Sequence, residues 1–247
     1  MRWQTTEKIA SIPMRVVGPV RIISREVDAD VPLPLATLES PLWPSTHRGA
    51  RACTEAGGIK ATIIDERMTR SILVEAETVA EVYAAYTDIL KQKEALQAVI
   101  SESSRFAKLL DMHAQIVGSL LYLRFELLTG DAAGHNMVTL ASERMLNWIL
   151  ERYPALRYVS ISGNFCSDKK VSAVNGILGR GKNVVAEVVM PRKICKRFLK
   201  TTPEKIYQLV IDKCFVGSLI AGSMGFNAHF ANIIASIFIA TGQDPAH

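Results

Sequence analysis

The sequence predicts an α+β fold, and two observations predict it. Between residues 71 and 161, apolar residues follow strand and helix spacing in the order strand, helix, strand, strand, helix, strand. The flanks are built differently, since residues 11–50 are rich in proline and residues 214–240 carry no formally charged side chain. We therefore expect a regular α+β unit in the middle of the chain, with segments of another architecture on each side.

The first segment predicts short strands and turns. Prolines interrupt it repeatedly, and apolar runs such as Val20–Ile23 lie between them. Proline fixes φ and donates no backbone hydrogen bond, so the pattern argues against helix. Residues 46–54 are the exception, because they could form a helix that Gly57 and Gly58 end.

The middle segment has the clearest periodicity. Ser71–Ala76 reads as a strand, and Thr78 could cap a helix whose apolar residues recur every three or four positions. Gly118-Ser119 joins two apolar runs as a hairpin would, a helix covers residues 137–149, and Leu156–Ile161 closes with a strand. This order is the split βαβ, or ferredoxin-like, arrangement.

The last segment changes pattern again. Val184–Met190 predicts a strand, Arg192–Leu199 a short basic helix, and the alternation in Tyr207–Ile211 another strand. Residues 214–240 are long enough to span a bilayer. Their serines, asparagines, glycines and single histidine would be costly in lipid, so they favour a buried, glycine-rich helix or helix pair.

Composition limits the function classes. With 49% hydrophobic and 21% charged residues, the 247-residue chain can bury a sizeable core. Its net charge of +5 suits a polyanionic small molecule, and no Lys/Arg run favours nucleic acid. Four scattered cysteines without a C-x-x-C pair predict free thiols and no metal. The N-terminus, residues 1–7, has no apolar signal sequence, so we expect a cytoplasmic protein.

The segment Ser162–Lys170 carries the strongest chemical signal. It follows a strand and a Gly-Asn turn with Asp168, Lys169 and Lys170 in direct succession. An aspartate can fix a neighbouring ammonium and keep it charged, ready to meet an oxyanion. Taken alone, a Lys-Lys pair is more often a solvated surface.

Two further motifs could bind phosphate. Gly130–Met137 places small residues between a strand and a helix, where phosphate could approach backbone N–H groups. It is not G-x-G-x-x-G, so a Rossmann site is excluded, and a plain βα turn with Asp131 near the cap is the alternative. Ser103–Phe106 offers hydroxyls and a guanidinium, or is simply a surface turn.

Two candidate acid–base groups lie outside these motifs. Glu39 is the only carboxylate of a proline-punctuated, uncharged segment, and it is either a partly buried proton donor or an exposed loop residue. His229 and Asn232 are three residues apart, which puts them on one face of a helix. A single histidine on an apolar helix is more often a core residue than a ligand.

Taken together, these motifs resemble the catalytic region of 3-hydroxy-3-methylglutaryl-coenzyme A (HMG-CoA) reductase. The resemblance runs in order through almost the whole chain, and although each motif is weak, their shared order excludes chance. The matching segments are residues 12–19, 39, 45–49, 68–70, 104–106, 131–137, 162–170, 179–182, 213–218, 227–232 and 242–244.

The resemblance implies an activity, a fold and a domain division. The family reduces HMG-CoA to mevalonate and CoA with NADPH, in isoprenoid biosynthesis. It implies a ferredoxin-like NADPH-binding domain at 71–161, inserted in a larger mixed α/β substrate domain at 1–70 and 176–247, with a catalytic loop at 162–175. It also implies a homo-oligomer with active sites between subunits.

The resemblance also assigns residues. Lys169 matches the lysine that stabilises the oxyanion, Glu39 the proton donor, and Asp244 the aspartate that links the two. Residues matching the substrate site are Arg70, Ser162, Asp168, Lys170, Lys213, His229 and Asn232, with Ser45, His47 and Arg48 at the coenzyme A phosphates. Residues matching the NADPH site are Ser104, Arg105, Phe106, Asp131, Ala133, Gly134, His135 and Asn136.

Some positions depart from the family pattern. Ser40-Pro41 follows Glu39 where glycine and a small residue are usual, and His47 replaces a usual asparagine. The sequence stops soon after Asp244, before the family's remaining large-domain helices and the histidine that protonates the coenzyme A thiolate. We therefore expect residues 214–240 to expose apolar surface. The alternative function is a non-catalytic remnant, or half of a split gene, that binds NADPH or a partner subunit.

Overall fold

The computed structural model describes residues 8–246, so the prediction about residues 1–7 lies outside it. The chain divides into two compact units. Among the described residues, the flanking unit comprises 8–62 and 185–246, and the central unit comprises 63–184. Both combine strands and helices, in agreement with the predicted mixture of α and β structure.

The flanking unit begins with a mixed sheet. Strands β1 (Met14–Ile23) and β2 (Asp28–Ala36) are antiparallel, and β1 runs parallel to the first residues of β3 (Ile59–Glu75). Helix α1 (Leu42–Glu55) starts earlier than predicted and contains Pro44. Proline is tolerated there because the N–H groups of a first helical turn have no intrahelical partner.

The central unit contains the predicted order of elements. After β3 come α2 (Val79–Ile89), α3 (Lys93–Ser101), β4 (Lys108–Val117), β5 (Leu120–Leu128), α4 (His135–Arg152) and β6 (Arg157–Ser160). The strands lie side by side in the order β6-β3-β5-β4, and each neighbouring pair is antiparallel. The predicted hairpin at Gly118-Ser119 is confirmed, since Val117 pairs with Leu120.

The predicted cap of α2 is also confirmed. The Thr78 hydroxyl accepts a hydrogen bond from the Glu81 backbone N–H at 3.2 Å, and the Glu81 carboxylate accepts one from the Thr78 N–H at 2.9 Å. This reciprocal pair is a capping box, which satisfies two N–H groups that the helix itself leaves unpaired.

The core of the central unit lies on one face of its sheet. Successive strand residues point to opposite faces. On β5, Leu121, Leu123, Phe125 and Leu127 are fully buried in the cluster that also contains the apolar faces of α2, α3 and α4. Two positions on the opposite face of β5 carry charged side chains, Arg124 and Glu126, and both are fully buried.

The rest of the chain is mainly helical. It comprises α5 (Ala173–Leu178), β7 (Gly181–Glu187), which pairs with β3, α6 (Arg192–Ile194) with a π-helical turn (Cys195–Leu199), α7 (Pro203–Leu209) with a π-helical segment (Val210–Gly217), α8 (Ser218–Ile220) and α9 (Phe230–Ala240).

The strand predicted at Tyr207–Ile211 is therefore wrong. The Thr202 hydroxyl accepts a hydrogen bond from the Lys205 N–H at 3.4 Å, and Pro203 occupies the first turn. A threonine cap followed by proline is a helix start, and it outweighed a five-residue alternation.

The burial predicted for residues 214–240 is also wrong. Ile220 is 83% exposed and Phe230 is 65% exposed, whereas Ile233 and Ile237 of α9 pack on the core of the flanking unit. Residues 214–240 expose apolar surface, as expected from the family resemblance. No described helix is long and apolar enough to cross a membrane.

Candidate functional site

The loop after β6 lies hard against β3. The Gly163 N–H donates to the Ser71 carbonyl at 2.9 Å. A Cβ at Gly163 would lie 2.9 Å from the Ser71 Oγ and 3.2 Å from the Ile72 carbonyl oxygen. Only glycine fits this close approach, which accounts for the Gly-Asn turn in the sequence.

Three non-glycine residues of this loop have left-handed backbones. The φ angles are 59° at Asn164, 50° at Ser167 and 56° at Lys169. Each costs an L-residue about 1–2 kcal/mol, and such strain persists only where surrounding contacts hold it. Strained residues cluster at functional sites. This geometry singles out the loop as a candidate site.

Cationic and polar groups converge on Asp168. The Arg180 Nη2 donates to the Asp168 Oδ1 at 2.6 Å, and the Arg70 Nη1 lies 3.5 Å from the Oδ2. The His135 Nε2 is 3.7 Å from the Asp168 Oδ1 and 2.9 Å from the Arg180 Nη2. These contacts fix the direction of the Asp168 carboxylate. Arg180 also links the candidate loop to His135 at the start of α4.

The loop lysines have different surroundings. The Lys170 Nζ donates to the Asn164 Oδ1 and to the Asp168 carbonyl, both at 3.1 Å, so this ammonium braces the loop from within. Lys169 is exposed, as an ammonium that meets a substrate must be. Ser162 starts the loop, and its N–H donates to the Ser160 Oγ at 3.1 Å.

Arg180 was not chosen as a site residue from the sequence. Its side chain is 10% exposed and contacts both Asp168 and His135. The signal in the sequence was its position between two glycines, Gly179 and Gly181. In the structure both glycines have positive φ, at 87° and 76°. An arginine between two glycines in a basic protein is weak evidence until the structure gives it partners.

The start of α4 suits an anion. Gly134 is its N-cap residue, has φ 87°, and makes no side-chain cap. A Cβ there would lie 2.5 Å from the Thr129 Cγ2, so glycine is required. Asp131, Ala133 and Asn136 are exposed around this end. Small residues at the N-terminus of a long helix allow a phosphate to approach.

A second candidate anion site lies after α3. A cavity of about 500 Å³ is lined by Ser104, Arg105 and Lys108, among others. The Ser104 Oγ accepts hydrogen bonds from the N–H groups of Phe106 at 3.2 Å and Ala107 at 3.1 Å. Neither of these bonds uses the hydroxyl hydrogen of Ser104. The Arg105 guanidinium stacks 4.7 Å from the Phe106 ring centre.

The flanking unit has its own cluster. The Asn232 Nδ2 donates to the Glu39 Oε2 at 2.6 Å. Of the two alternatives for Glu39, a partly buried residue or an exposed loop residue, the structure shows the exposed one. Glu39, Ser45, His229 and Asn232 line one cavity of about 320 Å³. His229 is exposed at the N-cap of α9, so it is not a core residue.

The remaining predicted residues of this unit are more dispersed. The His47 Nδ1 accepts from the Gly18 N–H at 3.3 Å and lines a cavity of about 350 Å³ that also includes Arg51. Arg48 and Lys213 are exposed. The Asp244 Oδ1 accepts from the Ala246 N–H at 2.9 Å. The proposed group of Lys169, Glu39 and Asp244 draws on both units and stays a prediction.

One histidine–carboxylate cluster resembles a metal site by composition. Asp111, His113 and Glu126 bring one ligand atom each within 4.8 Å of the others. The Glu126 carboxylate, however, already accepts from the Arg124 Nε at 2.8 Å and from Arg67. A bound cation would meet two guanidinium charges, so the electrostatics of these residues oppose a metal.

Comparisons with known proteins identify the family. Residues 8–247 match the family model described as hydroxymethylglutaryl-coenzyme A reductase. The HMG-CoA reductase of Pyrococcus horikoshii is 49% identical over 244 residues, covering 96% of this chain and 58% of that protein. The enzyme of Aeropyrum pernix is 44% identical over 236 residues, covering 95% and 56%. The chain thus spans less than two thirds of these curated relatives.

A solved structure gives the same fold. The class II HMG-CoA reductase from Streptococcus pneumoniae bound to NADPH superposes with a TM-score of 0.70 at 19% identity, covering 98% of this chain and 63% of that one. The likeness establishes the mixed α/β fold with its mixed sheet. Together with the match over residues 8–247, it leads to one conclusion: this chain belongs to the 3-hydroxy-3-methylglutaryl-coenzyme A reductase family.

Proposed function

We propose that this chain carries catalytic machinery for the NADPH-dependent reduction of (S)-3-hydroxy-3-methylglutaryl-CoA to mevalonate and CoA. The observation that carries the proposal is the strained loop in which Arg70 and Arg180 hold Asp168 beside the exposed Lys169. The loop places a fixed carboxylate next to an ammonium that can reach a substrate. That is the arrangement a developing oxyanion requires.

Each chemical role falls to a residue with suitable chemistry. NADPH would supply the two hydrides that reduction of the thioester to the alcohol requires, one from each of two cofactor molecules bound in turn. The Lys169 ammonium stabilises the oxyanion that develops on the thioester carbonyl oxygen when hydride adds to the carbonyl carbon, and later the oxyanion of the hemithioacetal. Glu39 provides a proton, and Asp244 couples the two charges. Asn232, whose amide donates to Glu39, orients that carboxylate.

The central unit is the proposed NADPH-binding domain. Its strands lie in the spatial order β6-β3-β5-β4, and helices follow β3 and β5 along the chain. This arrangement supports a ferredoxin-like domain, for which we keep the boundaries 71–161. The bare helix N-terminus at Gly134 suits the diphosphate. The Ser104 hydroxyl and Arg105, with Lys108 in the same cavity, suit the 2′-phosphate that distinguishes NADPH from NADH.

The substrate contacts are proposed in two groups. Arg70, Ser162 and Lys170 suit the hydroxymethylglutaryl carboxylate and hydroxyl, and Lys213 and His229 line the same substrate. Ser45, His47 and Arg48 suit the coenzyme A phosphates, and the neighbouring Arg51 adds a cation to the His47 cavity. We also propose a homo-oligomer whose active sites form between subunits, in a cytoplasmic setting.

The test follows NADPH oxidation on addition of HMG-CoA, with the chain alone and with the remaining segment of a full-length relative supplied. We expect Lys169→Ala to lower turnover about 10²–10³-fold, because a preformed oxyanion contact is lost. Lys91→Ala, which removes an exposed lysine elsewhere in the central unit, is the matched control. No turnover under either condition would overturn the proposal.

The alternative function, a non-catalytic subunit, has one observation in its favour. Large apolar side chains of the flanking unit are exposed, among them Leu219 at 68% and Ile220 at 83%. Such a surface fits a partner chain. NADPH binding measured by fluorescence, without turnover under either condition, would favour this alternative over the reductase.

A further inference from the structure

Arg124 is a buried arginine that neither the proposed chemistry nor the predicted binding sites use. It lies on the face of β5 opposite the apolar core, and its side chain is 0% exposed. A guanidinium is rarely buried so completely unless its donors are paired. The partners of Arg124 therefore indicate what it does.

Three donor nitrogens of Arg124 have defined partners. The Nε donates to the Glu126 Oε1 at 2.8 Å. The Nη1 donates to the Phe165 carbonyl at 3.0 Å, with the Asn175 Oδ1 at 3.4 Å, and the Nη2 donates to the Gly179 carbonyl at 2.6 Å. One rigid fork thus contacts both ends of the segment between Phe165 and Gly179, and Lys169 lies between those ends.

Glu126 and its second partner hold the fork in place. The Glu126 carboxylate, also 0% exposed, accepts from Arg67, and Arg67 donates through its Nε to the Asp65 Oδ2 at 2.6 Å. The two arginines and two carboxylates balance in charge. Asp65 and Arg67 also lie close to the end of the loop. A Cβ added at Gly179 would be 2.9 Å from the Asp65 Oδ2 and 3.4 Å from the Arg67 Cδ.

A buried ion pair of this kind is poorly explained by stability alone. Desolvation offsets its attraction, and apolar residues of similar volume often serve as well. What apolar residues cannot do is direct three planar donors at fixed angles. The segment held by the fork contains the left-handed residues Ser167 and Lys169, whose backbones need outside support.

We propose that Arg124, fixed by Glu126, is a positioning residue that clamps the catalytic loop and thereby sets the place of the Lys169 ammonium. It acts through backbone carbonyls and touches neither substrate nor cofactor. The proposal of a clamp stands on the geometry alone, and its catalytic consequence rests on the proposed function.

The test uses two variants and a control. Arg124→Lys keeps a charge against Glu126 but cannot span both carbonyls, and Arg124→Met combined with Glu126→Gln removes the fork without orphaning a buried charge. Arg157→Gln is the matched control, since Arg157 lies on the same sheet and is half-exposed, and its ion pairs are with Glu75 and Glu77.

The first readouts are trypsin cleavage after Lys169 and Lys170, and hydrogen exchange of residues 162–180. We expect both fork variants to raise the cleavage rate at least about tenfold, because cleavage follows the population of the opened loop. Hydrogen exchange of residues 120–128 in the fork variants should stay as in the wild type. The Arg157→Gln control should match the wild type in cleavage and in exchange. Unchanged cleavage in both fork variants, or global unfolding of both, would overturn the clamp.

The second readout is kinetic. Where the wild type turns over HMG-CoA, Arg124→Lys should lower kcat at least about tenfold, with a smaller change in the KM for NADPH, because Ser104 and Arg105 lie outside the clamped segment and, of the described candidate NADPH residues, only His135 contacts it. An unchanged kcat with a freed loop would overturn the link to Lys169. If the wild type has no turnover, the proposed function fails while cleavage and exchange still decide the clamp.

Discussion

The two units of this protein differ in how they bury their apolar residues. The central unit packs three helices on one face of the antiparallel strands β6-β3-β5-β4, around a continuous core that includes Ile72, Phe125 and Met145, all 0% exposed. The main apolar cluster of the flanking unit is smaller, with Val17, Leu35, Leu42 and Trp43 buried together and Leu33, Ile233 and Ile237 partly buried against them. The flanking unit also exposes many large apolar side chains.

This difference matters for the candidate site. The loop that carries Lys169 rests on a strand that the central core holds rigid, so its strained backbone can be maintained. Glu39 and His229 are exposed residues of a unit with a small core. We infer that the loop of the central unit is preformed and that the exposed residues Glu39 and His229 of the flanking unit depend more on what packs against them.

The largest expected effect separates the two cores. Phe125→Ala should lower the free energy of unfolding by about 3–5 kcal/mol, because it leaves a cavity in the central core. Phe230→Ala should change it by about 0.5 kcal/mol or less, since Phe230 is 65% exposed. Urea unfolding followed by circular dichroism measures both. Equal losses would contradict the comparison.

The second prediction concerns the close approach of the loop to β3. Gly163→Ala should reduce turnover about 10–100-fold, because the new Cβ displaces the backbone that leads to Lys169. Gly176→Ala is the control, as a Cβ there meets nothing within 4 Å. Steady-state NADPH oxidation measures the effect, and equal rates for the two variants would show that the approach is not functional.

The third prediction compares helix caps between the units. Thr78→Ala should cost about 1 kcal/mol, because it breaks a reciprocal capping box. Thr202→Ala should cost about 0.5 kcal/mol or less, since its bond to the Lys205 N–H is long at 3.4 Å. Thermal unfolding of the two variants tests the order, and the reverse order would refute it.

The smallest expected effect depends on pH. The Tyr153 hydroxyl donates to the Asp88 Oδ2 at 2.6 Å. Burial, together with this bond, raises the pKa of Tyr153 to about 12, and the bond lowers the pKa of Asp88. The Asp88 contribution to stability is present above its unfolded pKa of about 4 and is lost as pH falls. The Tyr153 contribution is present below about pH 10 and is lost toward pH 12.

The melting temperature of Tyr153→Phe should therefore fall below that of the wild type between about pH 4 and pH 10, and converge with it outside that window. The exposed pair of Arg192 and Glu204 is the comparison in the flanking unit, where Arg192 lowers the pKa of Glu204 to about 2. Any effect of Arg192→Gln should vanish in high salt. A difference for Tyr153→Phe that is independent of pH would exclude this linkage.

The sequence alone indicated the family, predicted the order of strands and helices in the central unit, and singled out the loop after β6 as a candidate site. The family rests on the shared order of motifs along the chain. The order of elements rests on local signals, namely period-2 and period-3.6 patterns, a helix cap, a hairpin turn and glycines where the backbone must approach or turn. Local signals also misled, since the alternation at Tyr207–Ile211 gave way to the cap at Thr202.

Only the tertiary structure decided which polar residues work together. Arg124, Glu126 and Arg180 are ordinary charged residues in the sequence, and the long-range contacts with Phe165, Gly179 and Asp168 give them roles. The burial of residues 214–240 was likewise decided by packing. The physical reason is that side-chain spacing fixes which face a residue occupies, whereas burial and pairing depend on segments that are distant in sequence.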